Sequence, residues 1–340
     1  MFRLLALLQL TRFALAFTAI ADAWAILLLR APTTAPPPMW VLIIQMIVTG
    51  VVSFGLYGFG MTLNDLLDAR RDRVFAPRRP IPSGRIRIRS AIIIALLLLM
   101  LSLFASAALT PIHVALTENP RWKDFVPWSF IFSFATAMLI VFYDATSKYL
   151  GGLGLVTLGA IRALHCLIGN PRTGLIVLCM FLLTHVIVIS TIAYKLENKR
   201  PRLRTWDYVI IALGLLLGNL MAVIYMLWRG VIDPSLLGMV AAPAIAMLVY
   251  AIWAVQILRN PKHAPRQKGE RLMLLGLFWL FVYDASMLLG NGQYLAGIAI
   301  TLLLLCAIVS FFGLRWISRT MGQPKLGYRT EREEKVTTAR

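Results

Sequence analysis

Three of the chain's fifteen acidic residues fall within eight positions, as Asp65, Asp68 and Asp72, with Asn64 directly before them. Continued as a helix at about 100° per residue, positions 64, 68 and 72 lie at about 0°, 40° and 80° and position 65 at about 100°, so four oxygen-bearing side chains share one face. Three carboxylates on one stripe repel each other, and at a membrane boundary they are costly unless a cation compensates. Hard oxygen donors of this kind suit Mg²⁺, which binds few protein carboxylates and keeps positions for water and phosphate oxygens. Asn64, Asp65, Asp68 and Asp72 are therefore the metal candidates. The next segment, Arg78-Arg79-Pro80-Ile81-Pro82-Ser83-Gly84, joins a rigid turn to guanidinium forks that suit phosphate. The plainer alternative is a solvated loop face in which the acids pair with Arg70, Arg71 and Arg73; their placement on one stripe weighs against it.

The elements that must position these groups are membrane helices. Of 340 residues, 59% are apolar and only 14% charged, with a mean hydropathy of +0.76. A soluble domain runs near ~25% charged. Apolar runs occupy roughly residues 13–29, 39–61, 91–110, 127–143, 151–169, 173–194, 207–228, 234–258, 271–289 and 294–316. Runs of this length without period-two alternation predict helices, about ten spans in an all-α transmembrane bundle. The predicted organisation is one transmembrane domain over residues 1–318 and a polar, mobile tail over 319–340. Cys166, Cys179 and Cys306 all lie in apolar runs, so no disulfide framework is expected.

The net charge of +19 sits in loops. With a cytoplasmic N-terminus, 28 of the 34 Lys and Arg residues fall on the cytoplasmic side and 5 on the other, with Arg162 inside a span. That bias predicts a multi-pass protein of a bacterial-type inner membrane with both termini cytoplasmic. It accounts for the basic charge without nucleic acid and favours contact with anionic membrane lipid. Small residues at 21–25 look like a signal-peptide cleavage site, but Arg12 interrupts the first apolar run and a full span follows.

The stretch Asn64-Asp65-Leu66-Leu67-Asp68-Ala69-Arg70-Arg71-Asp72, followed by Arg79-Pro80 and Gly84, resembles the first aspartate-rich motif of the UbiA family of intramembrane prenyltransferases. The similarity extends over most of the chain. Tyr143-Asp144-Ala145-Thr146-Ser147-Lys148 resembles the family's Tyr and Lys segment, and Gly159 with Arg162 stands where the family often has Gly and Arg. The resemblance implies a ring of helices around a central cavity that opens sideways to lipid and is capped by cytoplasmic loops. It implies transfer of a prenyl group from an isoprenoid diphosphate to a small-molecule acceptor, an aromatic or a quinone or lipid precursor, with Mg²⁺ holding the diphosphate. By that analogy Asn64, Asp68 and Asp72 hold the metal, Asp68, Asp72, Tyr143 and Lys148 are catalytic, and Arg79 and Arg162 contact the diphosphate. The chemistry agrees: ionising an allylic C–O bond leaves a diphosphate whose growing charge needs metal and cationic groups placed beforehand, and a carbocation from which water must be excluded.

The family's second motif normally has two aspartates four apart, yet the matching stretch reads Tyr194-Lys195-Leu196-Glu197-Asn198-Lys199-Arg200. Three readings stand. Lys195 and Lys199 bind diphosphate directly as point charges; the activity is altered or lost; or the register differs and Glu197 and Asp207 supply the carboxylates. The family usually shows nine spans, so an additional helix is expected after residue 205.

Asp22 and Asp284 lie within spans and are functional candidates by position; Asp22 could position Arg162, and Asp284 reads as structural. His165 and His185 read as satisfied core residues. Phe130, Phe132, Phe134 and Phe142 read as packing or lipid-facing, and Gly55, Gly58 and Gly60 as sites of close helix approach. No phosphate-cradling glycine loop, nucleophile constellation or Cys/His metal cluster appears. Alternatives to prenyl transfer are a terpene cyclase on the same scaffold, or a non-catalytic lipid-binding or transport protein. A transporter is expected to show paired halves with broken helices, and no such repeat is evident.

Overall fold

A computed structural model describes residues 2–29, 38–115, 120–171, 176–199, 201–230 and 236–320. Each of the ten apolar runs is a helix: α2 (Phe13–Leu28), α3 (Met39–Leu67), α5 (Ile88–Ala115), α6 (Trp128–Ala145), α7 (Gly152–Cys166), α8 (Val177–Leu196), α9 (Thr205–Trp228), α10 (Leu236–Arg259), α11 (Pro265–Gly290) and α12 (Tyr294–Thr320). Two shorter helices complete the set, α1 (Phe2–Leu10) ahead of α2 and α4 (Ala69–Phe75) after α3. Among the described residues there is no strand. Among the described residues eight helices are long and apolar enough to cross a membrane alone, and the bent pair α1–α2 makes a ninth. The remaining run, α7, is an apolar helix of 15 residues, so the count of about ten holds only if this short helix is included. The chain is a multi-pass membrane protein. Of the expected tail, residues 321–340 lie outside the described residues.

The helices form a ring with outer additions. α2 packs on α3, α7, α11 and α12; α3 on α5 and α6; α7 on α6, α8 and α9; and α11 on α8, α10 and α12. α8 and α11 are largely buried, whereas α5, α9, α10 and α12 present their apolar faces outward as lipid-facing helices do. Between such helices association comes from close packing rather than exclusion of water. Gly55 supplies it between α3 and α5: a Cβ there would meet Leu98 O at 2.8 Å, and beside it Ser102 Oγ donates to Val52 O at 2.9 Å. The expected close approach at Gly55 is therefore realised.

Two breaks matter for the site. α1 and α2 meet at 49° through Arg12, whose left-handed backbone (φ 47°) ends one helix and begins the next. α3 and α4 meet at Asp68, but the i→i−4 bonds run on: Asp68 N donates to Asn64 O, Asp72 N to Asp68 O and Ala76 N to Asp72 O. The stripe predicted from the sequence survives the break because Asp68 keeps a right-handed conformation (φ −83°, ψ 0°).

Candidate active site

The acids close α3 and open α4 at one end of the bundle. Asp65 and Asp68 are each 3% exposed and Asp72 is 0% exposed, whereas the intervening Leu67 and Arg70 face outward. Carboxylates buried this far need compensating cations. They have them, from four separate segments.

Lys148, in the 3₁₀ turn between α6 and α7, donates from Nζ to Asn64 Oδ1 and to Asp68 Oδ1, both at 3.1 Å, and lies 3.7 Å from Asp144 Oδ1. Tyr149 OH donates to the same Asp68 oxygen at 3.3 Å, and Arg71 Nη2 to Asp68 Oδ2 at 3.1 Å. Arg79 Nη1 bridges two acids, at 2.7 Å from Asp72 Oδ2 and 3.2 Å from Asp65 Oδ1. Arg12 Nη2 stands 3.8 Å from Asp65 Oδ1, a reach that the bend between α1 and α2 permits. Burial pushes the Asp72 carboxyl above its ordinary value, while the Arg79 guanidinium beside it pulls the other way.

The basic loop that supplies Arg79 is a folded cap. Ser83 N donates to Arg79 O and Ile86 N to Pro80 O, closing a turn completed by Gly84 at φ 74°, a conformation that favours glycine. Arg85 latches the loop to α1, donating from Nη1 to Gln9 Oε1 at 2.7 Å and from Nη2 to Arg78 O at 2.6 Å. Ile81 and Ile86 pack with Ala6 and Leu10 of α1 in a small apolar cluster. The rigid turn expected from the two prolines is present, and α1 is its floor.

The donor set suits a hard divalent cation. Asp72 Oδ1 is buried with no hydrogen-bond partner, and the Lys148 ammonium already sits between the oxygens of Asn64 and Asp68 as a cation would. Among the described residues no three Asp, Glu, His or Cys side chains converge as a ready-made cage.

Of the sequence candidates, the structure brings together Asn64, Asp65, Asp68, Asp72, Arg79 and Lys148. Asp65 is turned to Arg12 and Arg79. Tyr143 is half-buried beside the cluster, within electrostatic reach of Asp144, Asp68 and Arg12. Arg162 stands apart. It lies ten residues into α7, about 15 Å along the helix, and its Nε pairs with Asp22 Oδ2 of α2, with Asp284 of α11 beside them. The expectation that Asp22 positions Arg162 is realised. His185 is satisfied as expected, between Tyr283 OH at 3.0 Å and Gly276 O at 3.1 Å, but both ring nitrogens of buried His165 are without hydrogen-bond partners, contrary to its reading as a satisfied core residue.

Lys195 ends exposed on α8, and exposed Lys199 pairs with Glu197 Oε2 at 2.9 Å. Asp207, the carboxylate of the alternative register, is held in a structural role. Both its oxygens are engaged, Oδ2 accepting from Arg204 N and Oδ1 from Gly152 N, each at 2.7 Å, so it caps α9 and ties it to the start of α7. Gly152 makes that join possible, since a Cβ there would stand 2.4 Å from Asp207 O.

Sequence reasoning missed Tyr149 and Arg12 as partners of the acids, whereas the Arg71–Asp68 pair is one that the plainer solvated-face alternative named. Tyr149 follows Lys148 directly and could have been found from that adjacency; Arg12 could not, because its reach depends on a backbone bend.

No family model matches the chain. A digeranylgeranylglyceryl phosphate synthase of Methanothermobacter thermautotrophicus is 26% identical over 265 residues, covering 74% of this chain and 87% of the relative. A solved structure of a digeranylgeranylglyceryl phosphate synthase in membranes superposes with a TM-score of 0.56 at 18% identity, over 86% of this chain and 99% of that one; at that identity the likeness speaks for the fold. A UbiA homologue from Archaeoglobus fulgidus bound to GPP and Mg²⁺ gives a TM-score of 0.44 at 14% identity, over 89% of this chain and 98% of that one.

Proposed function

We propose that the chain is a member of the UbiA family of intramembrane prenyltransferases, a Mg²⁺-dependent enzyme moving a prenyl group from an isoprenoid diphosphate to a lipid-soluble acceptor at the membrane face that carries the acid cluster. The observation that carries this reading is the run Asn64, Asp68 and Asp72, with both carboxylates buried, met by Lys148 and Arg79 under a basic cap. Asn64, Asp68 and Asp72 would hold the metal, which when bound neutralises charge developing on the departing diphosphate.

The chain's own residues supply the rest. Lys148 and Tyr149 present donors beside Asp68, and Arg79 presents a guanidinium from the cap; all are in place before charge develops, which is what makes such donors effective. The cap packed on α1 limits water at the site, which protects a carbocation from capture as an alcohol. Lys195 and Lys199, both exposed, serve as point charges for diphosphate rather than as metal ligands. The name of the relatives favours a lipid precursor over an aromatic ring as acceptor. The distribution of Lys and Arg supports a cytoplasmic site, with both termini on that side of a bacterial-type inner membrane.

The test is incubation of purified protein with Mg²⁺ and a panel of isoprenoid diphosphates and acceptors, following diphosphate release and lipid products by mass spectrometry. Prenylated product that disappears on chelation supports the reading. An Asp68→Asn variant releasing diphosphate at the wild-type rate would refute the metal assignment.

A further inference from the structure

The last turn of α7 and the first turn of α8 bring two cysteines together at the end of the bundle away from the acid cluster. Cys166, 0% exposed, is the final residue of α7, and Cys179, 6% exposed, is the third residue of α8. Both are free thiols. Their sulfurs stand 2.9 Å apart, closer than two unbonded sulfur atoms pack, while Cys166 Sγ also donates to Ala163 O at 3.1 Å. Both belong to the large apolar cluster, so nothing ionic holds them together. A metal would need more ligands than two thiolates, and among the described residues no third Asp, Glu, His or Cys joins them.

We propose that Cys166 and Cys179 are a modification site, a thiol pair that closes to a disulfide joining α7 to α8. In the step both S–H bonds break and one S–S bond forms; the two electrons and two protons pass to an apolar two-electron oxidant of the quinone class, which becomes the quinol. The oxidant must be apolar because the pair lies among membrane-spanning helices in an apolar cluster. By the distribution of basic residues the pair lies toward the outer face, the side on which disulfides persist. The bond would close a short loop, Cys166 to Cys179, which constrains the unfolded chain. It would also fix the end of α7 one turn beyond Arg162, holding that guanidinium against Asp22.

The experiment counts thiols. Full-length protein in detergent is fully reduced, freed of reductant and exposed to a fully substituted benzoquinone, which can oxidise thiols but offers no ring C–H position for addition. It is then denatured, alkylated with a maleimide and weighed intact. The expected result is a fall from three adducts to one, on Cys306, with a Cys166–Cys179 linked peptide on digestion and return of three adducts after reduction. A Cys306→Ser variant, which leaves the pair untouched, should fall from two adducts to none at the monomer mass, ruling out linkage through Cys306 and between chains. Retention of all adducts after quinone treatment in both proteins, or a linkage that involves Cys306, would overturn the proposal.

Discussion

Lys148 Nζ stands 3.1 Å from Asn64 Oδ1 and 3.1 Å from Asp68 Oδ1, so an ammonium from the α6–α7 turn fills the space between two oxygens of α3. A divalent cation competing for those oxygens must displace it or move it onto an incoming phosphate. Two unit charges about 4 Å apart interact by about 4 kcal/mol at an effective dielectric of 20. Removing the ammonium with Lys148→Met should therefore tighten Mn²⁺ binding in the absence of diphosphate by about tenfold or more. The same change removes a preplaced donor and should lower turnover by about 10²–10³. Titration with Mn²⁺ followed by electron paramagnetic resonance separates the two effects; an unchanged affinity would show that Lys148 does not guard the site.

The acid stripe was legible because its spacing is a property of the helix, and the break at Asp68 leaves the i→i−4 bonds running. The ten apolar runs were legible for the same reason, since length and hydropathy decide a span locally. What the sequence could not yield are contacts that depend on packing. Arg12 reaches Asp65 only through a left-handed residue, and the hydrogen bonds that Asp207 accepts from Arg204 N and Gly152 N depend on how α7 and α9 pack. Arg162 read as a phosphate ligand because a buried guanidinium needs an anion, and the anion proved to be Asp22 on α2. Conversely, the rigidity of Pro80-Ile81-Pro82 was readable, while the latch through Arg85 and Gln9 that seats the loop was not.

Asp72 gives a pH signature. Its folded-state value is raised by burial, so its ionised form is less comfortable in the folded protein than in the unfolded one. The stability linked to its proton is fully present below the unfolded value of 3.8 and is lost as pH rises through the raised folded value. An Asp72→Asn variant, which cannot ionise, should therefore gain thermal stability relative to wild type as pH rises from about 4 to 7 in metal-free buffer, while losing product formation. Thermal midpoints of the two proteins at both pH values decide it; a variant that falls further behind wild type on going to pH 7 would show that the pairing with Arg79 outweighs burial.

The interior pair Arg162 and Asp22 predicts a graded loss. Asp22 is 0% exposed and the Arg162 side chain 11%, with Asp284 as a second acid beside them. Asp22→Asn leaves Asp284 as the remaining counter-charge, so its cost should be partial. Asp22→Asn with Asp284→Asn strands the guanidinium and should cost about 3–5 kcal/mol, as removing the partners of a buried charge does. Adding Arg162→Met to that double variant should recover most of the loss. Thermal unfolding in detergent measures all three, and a triple variant no more stable than the double would show that these residues contribute through packing instead of charge.

Lys195 and Lys199 provide the last test because their exposure sets its form. Lys199 pairs with Glu197 at 2.9 Å, and an exposed pair of this kind contributes ~0–1 kcal/mol. Neither Lys195→Ala nor Lys199→Ala should therefore unfold the protein. If the lysines attract diphosphate as point charges, each substitution should raise the KM for the isoprenoid diphosphate a few-fold with little change in kcat, since exposed charges act on encounter more than on the bond being broken. The effect should shrink between low salt and ~1 M salt, where the Debye length falls to about 3 Å. Steady-state kinetics of the two variants across that range measures it. Unchanged KM in both at low salt would eliminate the lysines as diphosphate ligands, leaving Lys148 and Arg79 as the cations that meet the substrate.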